Sequence, residues 1–85
     1  MAYRVILKPA AERDLSSLPR DVLRRVDSRI RALSEDPRPH GSQKLAGGGG
    51  LYRVRVGEYR VIYTVDDDVL LVMVVRVRHR RDAYR

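Results

Sequence analysis

The chain has no cysteine, no tryptophan and no phenylalanine, and of its 18 basic side chains only two are lysine. Each shortage excludes something. Without cysteine there is neither a disulfide framework nor a thiolate zinc site, which is compatible with a reducing cytosol. Without the two large apolar aromatics, packing falls to five tyrosines and many valines. No apolar run is long enough to span a bilayer and no secretory h-region opens the chain, so a cytoplasmic protein with no membrane partner is expected. At 85 residues, positions 1–85 are read as a single domain. A chain of this size buries only about 60–65% of its unfolded surface, so its core must be modest.

What is abundant is arginine. The formal charge is +7, and sixteen of the basic residues are arginines. A guanidinium forks onto phosphate oxygens in a way that a compact ammonium does not. A phosphate-rich partner, nucleic acid first, is therefore expected.

Along the chain, Tyr3, Val5 and Leu7 alternate with Arg4 and Ile6 as in a short strand. Pro9 suits a first helical turn, and Ala11, Leu15 and Leu18 follow at helical spacing. Pro19 restarts the chain, and Val22, Val26, Ile30 and Leu33 form one apolar stripe. Asp21 and Asp27 precede Arg25 and Arg31 by four residues, the pattern of a solvated outer face. Asp36–Pro37 stops the helix near Glu35. The four glycines from Gly47 to Gly50 open a strand rather than a helix, so they read as a connector and not as a phosphate loop. Asp66–Asp68 reads as a solvated turn rather than a metal site.

The stretch LYRVRVGEYRVIY, Leu51 to Tyr63, is a hairpin with Gly57–Glu58 as its two-residue turn. Val56 then faces Tyr59, Arg55 faces Arg60, Val54 faces Val61, Arg53 faces Ile62 and Tyr52 faces Tyr63. One face is Tyr and Val; the other carries Arg53, Arg55 and Arg60. For the next turn, a three-residue loop of Asp66–Asp68 sets Tyr63 against Leu71, Val61 against Met73 and Tyr59 against Val75. It also sets Ile62 against Val72 and Glu58 against Arg76. In that register the arginine face gains Arg76 and Arg78, and Ile62, Val72 and Val74 form an apolar strip expected to dock a partner. Arg55 directly opposite Arg60 costs the fold a few tenths of a kcal/mol, roughly, once water screens it. An anion between the guanidiniums accounts for such a cluster where stability does not. The tail adds His79, Arg80, Arg81 and Tyr84.

Lys44–Leu45, then LYRVRVGEYRVIY, then RVRHRRDAY, together with the opening YRVILKPAAERDLSSLP, resemble the RelE branch of the RelE/ParE toxin superfamily over essentially the whole chain. The resemblance implies an α+β fold in the order β-α-α-β-β-β, an antiparallel sheet with a helical hairpin on one face and a basic opposite face. It implies the toxin of a type II toxin–antitoxin pair, which enters the ribosomal A site and cuts mRNA by attack of the 2′-hydroxyl on the adjacent phosphate. No cofactor or metal is implied. The implied partners are a RelB-like antitoxin, the ribosome and mRNA, with operator DNA reached only through the antitoxin complex. By family position the catalytic set falls on Arg53, Arg55, Arg60, Arg80 and Tyr84; Arg76 and Arg78 of the same face, Arg81 of the tail and Lys44 are expected as further phosphate contacts. Relatives can have lysine where Arg53 and Arg55 stand; an arginine does not serve as a base, so these two are expected to clamp charge. The proton acceptor stays open between Tyr84, by family position, and His79, by intrinsic pKa. A ParE-like toxin directed at DNA gyrase, and a non-catalytic binding module, are the alternatives.

Overall fold

The computed structural model describes residues 2–47 and 49–82. The elements are β1 (Arg4–Leu7), α1 (Pro9–Ser16), α2 (Arg20–Ala32), β2 (Gln43–Lys44), β3 (Leu51–Val56), β4 (Tyr59–Asp66) and β5 (Leu71–His79). Pro9 opens α1, and the Lys8 carbonyl accepts the Glu12 N–H at 3.0 Å. The missing N–H of proline costs nothing there, because the first helical N–H groups have no partner within the helix. The Pro19 carbonyl does the same for Leu23 at 2.8 Å and starts α2. Val26, Ile30 and Leu33 of the apolar stripe are buried, with Val22 at its rim. On the solvent side Arg31 bonds Asp27 at 2.8 Å, the four-residue spacing anticipated for that face.

The sheet order is β1-β5-β4-β3-β2. Strands β2 to β5 pair antiparallel, and β1 joins the far edge parallel to β5, so the sheet is mixed. The helical hairpin covers one face. Between the two lie Ala11, Leu15, Val26, Ile30 and Leu33 from the helical side and Val54, Val56, Val61, Tyr63, Val72, Val74 and Val77 from the sheet. Tyr63 is the largest side chain wholly out of water. Its ring stacks on Tyr52 at 5.8 Å, and its hydroxyl donates to the Pro37 carbonyl at 2.8 Å. A core without phenylalanine thus takes a phenol, at the condition that the O–H finds an acceptor. Burial pushes the Tyr63 phenol up from its ordinary range. Among the described residues, no helix is long and apolar enough to cross a membrane.

The first hairpin has the register read from the sequence, from Tyr52↔Tyr63 to Val56↔Tyr59. The second does not. β4 and β5 are joined by four residues, 67–70, so that Asp66 faces Leu71, Val65 faces Val72 and Tyr63 faces Val74. The Asp66 carboxylate accepts the N–H groups of Asp68 and Val69 at 3.0 and 3.4 Å, which builds the longer turn. Leu70 takes the left-handed φ of 54° that closes it. One residue later the ladder slips: Ile62 faces Arg76, leaving Val75 as the extra residue of a bulge. The longer turn moves Val72 and Val74 to the helix side, where both are fully buried. They are core residues and not part of an exposed partner-binding strip. Leu71 and Met73 take their place beside Ile62 on the open face, with Ile6 of β1 opposite Met73.

Candidate nucleic-acid interface

Because β3, β4 and β5 run side by side, the register sets Arg55, Arg60 and Arg78 in one row across three strands. Arg53 stands two residues back along β3, opposite Gln43 of β2. Gly41, Gln43, Arg53, Arg55 and Arg60 line a cleft of about 230 Å³ on the face away from the helices. None of those five residues is acidic. Gln43 accepts a hydrogen bond from the Arg53 guanidinium, and Arg55 Nε donates to the Gly57 carbonyl at 3.2 Å. Both contacts fix orientation and leave the positive charge uncompensated. Arg53 and Arg60 are half-buried and Arg55 is exposed, so the cleft offers forked donors of graded accessibility to an anion.

Arg80 follows β5 and folds back onto the first hairpin turn. Its N–H donates to the Glu58 carbonyl at 2.7 Å and its Nε bonds the Glu58 carboxylate at 2.8 Å. The two side chains are 50% and 57% exposed. An ion pair that open is worth about 0–1 kcal/mol, so a phosphate can replace Glu58 at little cost.

Other residues anticipated for the site lie elsewhere. Arg76 grips Asp14 of α1 with two hydrogen bonds, at 2.8 and 3.2 Å, and Asp14 also accepts the Val77 N–H at 2.9 Å. Asp14 therefore secures the bulged end of β5 to α1. His79 pairs with Tyr59, which puts it on the helix side of the sheet. There its ring meets Tyr59 edge-on at 5.2 Å, and its Nδ1 accepts the Arg81 N–H at 3.2 Å. His79 lines another cleft of about 310 Å³ with Asp14, Ser17, Asp82 and two arginines, Arg76 and Arg78, and is absent from the lining of the Arg53–Arg55–Arg60 cleft, so it is not placed to act as acid or base there. Lys44 pairs with Tyr52 and shares its side, while Gln43 takes the cleft side. Arg81 is exposed beyond the row. Tyr84 lies outside the described residues. Gln43 and Gly41 were missed by sequence reasoning, since a two-residue strand within a polar loop has no periodicity to detect.

Asp14 gives a pH-dependent expectation. Burial raises its pKa, but the hydrogen bonds from Arg76 and Val77 outweigh burial and hold the carboxyl below its usual range. Asp67, bonded by Arg38 at 2.8 Å and by the Tyr3 hydroxyl at 2.7 Å, is lowered as well, chiefly by Arg38. A carboxyl depressed in the folded state contributes stability above its unfolded pKa of about 4 and loses it as pH falls through the folded value. Stability should thus decline on acidification below about pH 4. Asp14→Asn should cost about 1 kcal/mol at neutral pH and flatten that acid limb, as urea melts at several pH values would show. An acid limb of unchanged steepness would remove Asp14 from this role.

With this geometry in hand, three similarities bear on identity. The profile of the ParE toxin of the type II toxin-antitoxin system parDE matches residues 5–84. The toxin RelG of Mycobacterium tuberculosis is 36% identical over 86 residues, covering all of this chain and 99% of that one. Among solved structures, the toxin–antitoxin complex RelBE2 of the same organism superimposes with a TM-score of 0.83 at 33% identity, covering 94% of this chain and 100% of that one. The archaeal RelE–RelB complex of Pyrococcus horikoshii gives 0.83 at 34% identity, covering 94% and 97%.

Proposed function

The chain belongs to the ParE toxin family of type II toxin–antitoxin systems, its relatives include RelE and RelG toxins, and from that premise we propose that it is a ribosome-dependent mRNA endonuclease. The observation that supports this reading best is the arginine cleft: Arg53, Arg55 and Arg60 gather around one hollow with no carboxylate in its lining.

In this reading the scissile phosphate of an mRNA in the ribosomal A site sits over the row. The 2′-oxygen attacks the adjacent phosphorus, the bond to the 5′-oxygen breaks, and a 2′,3′-cyclic phosphate remains. The 2′-hydroxyl gives up one proton and the leaving 5′-oxygen takes one. Arg53, Arg55 and Arg60 donate to the phosphorane oxygens as their charge grows, which is where fixed donors lower a barrier most. Arg80, released from Glu58, adds charge beside the leaving group. Arg78 extends the row and holds the flanking backbone. His79, on the other side of the sheet, takes no part, and Tyr84 remains the family-position candidate for proton transfer.

The antitoxin is read as RelB-like, since the solved relatives are RelE–RelB complexes. The strip of Ile6, Ile62, Leu71 and Met73 beside the arginines offers it an apolar seat. The family profile carries the ParE name, which favours a gyrase-directed toxin as the second reading. Such a toxin has no need of an arginine-lined cleft.

Primer extension decides between them. The purified protein is added to programmed ribosomes and, separately, to the same mRNA alone. Breaks confined to the A site in the ribosomal sample are expected. No break in either sample, together with inhibition of gyrase supercoiling, would replace this reading with the second.

A further inference from the structure

Arg55 lines a second cleft as well. Pairing of β3 with β2 ends at Arg53, so residues 54–56 form an open rim of the sheet. Across that rim stands α2. Between them is a cleft of about 450 Å³ lined by Arg24, Arg25, Ser28 and Arg29 of α2 and by Arg55, Val56 and Gly57 of the hairpin. Four of the seven lining residues are arginines and none is acidic. Arg24, Arg25 and Arg29 make no ion pair among the described residues, whereas Arg31 on the same helix is closed on Asp27. Gly57, at a φ of 59°, closes the turn beside the Arg25 guanidinium. Basic residues along a sheet rim also deter edge-to-edge pairing. That role needs no concavity, and it does not require α2 to bring three cations to the same hollow.

We propose that this cleft is a second phosphate subsite, which binds the sugar–phosphate backbone of the RNA engaged at the arginine row, with Arg55 shared between the two. The inference rests on the RNA-directed reading above. It makes the basic stripe of α2 a docking surface instead of a solvated face, and continues the positive track from the open face of the sheet around its β3 rim. The backbone concerned belongs either to the mRNA or to ribosomal RNA, and the chemistry of recognition is the same for both.

The test is binding of labelled protein to purified ribosomes across a potassium chloride series. One sample of ribosomes is empty, and the other carries an mRNA made uncleavable by 2′-deoxy sugars at the decoding codon. Arg24→Gln/Arg29→Gln is compared with Arg13→Gln/Arg31→Gln, which removes the same charge from helix positions outside both clefts. The first double variant should bind about tenfold or more weakly at moderate salt and lose about 0.7 of log–log slope for each phosphate contact removed. The control should bind within about twofold of the unaltered protein. A loss seen on both ribosome samples assigns the backbone to ribosomal RNA; a loss seen only with mRNA present assigns it to the messenger. Equal behaviour of the two double variants would overturn the subsite, since net charge alone would then explain binding. So would unchanged ribosome binding with weakened antitoxin binding, which would give the cleft to an acidic protein segment. Failure of the unaltered protein to bind ribosomes is a different result, and it would remove the RNA-directed reading itself.

Discussion

Arg60→Ala should lower cleavage of ribosome-bound mRNA by about 10²–10³-fold, while ribosome affinity falls by less than about tenfold. The asymmetry comes from where Arg60 sits. It is the middle of the row, between Arg55 and Arg78, and it is half-buried while Arg55 is exposed. A partly desolvated, oriented guanidinium is worth most when the phosphate passes from one negative charge toward two. Ground-state binding is shared among many arginines, so deleting one changes it little. Arg60→Lys should recover part of the rate, because it restores the charge without the fork. Single-turnover cleavage with saturating protein separates the two effects. Rate and affinity falling in the same proportion would make the row a binding surface and not a catalytic one.

Val72→Asp should not fold, whereas Met73→Asp should fold and lose the antitoxin. The two positions are adjacent in sequence and opposite in environment. Val72 is wholly buried in the core, and an unpaired carboxylate there costs several kcal/mol, a large share of the roughly 5–15 kcal/mol that holds a domain together. Met73 is half-buried on the open face opposite Ile6, and a charge there should shift stability by about 1 kcal/mol or less. Its effect on antitoxin binding should exceed tenfold if the strip is the seat of an apolar anchor. Circular dichroism and titration with the antitoxin read the two effects separately. A folded Val72→Asp protein would contradict the register of β5. Antitoxin affinity unchanged in Met73→Asp would place the antitoxin elsewhere.

The contrast between the two hairpins shows what the sequence could disclose. The first was legible because Gly57–Glu58 admits one turn length and Tyr/Val alternates cleanly with Arg on both sides. The cluster of Arg53, Arg55 and Arg60 on one face followed from that register, while the helices were legible in the spacing of Ala11, Leu15 and Leu18 and of Val22, Val26, Ile30 and Leu33. The second turn offered three aspartates, and the loop length hinged on hydrogen bonds made by Asp66 that composition does not reveal. A trace of the bulge was nonetheless present. In β5 the inward positions run Val72, Val74 and then Val77, so the alternation changes phase at Val74–Val75. Reading one phase through the strand put Val72 and Val74 outside, and counting His79 with the tail left it off the strand that pairs it with Tyr59. The contact between Arg76 and Asp14 joins residues 62 positions apart, a distance at which no local pattern operates.

The first strand and the last are neighbours in the sheet, and every residue of β1 that pairs does so with β5. That pairing has the longest loop to close, and non-local contacts of this kind form late and slow a fold. It also sets an order on synthesis. While the chain is still being made, β1 has no strand to join, and the edge it will cover on β5 does not yet exist. The helices and the first hairpin can associate early, but the segment that carries Arg78 and Arg80 is made after them. The arginine row is therefore complete only once β5 has been made and has joined β4, later than the helices and the first hairpin can assemble.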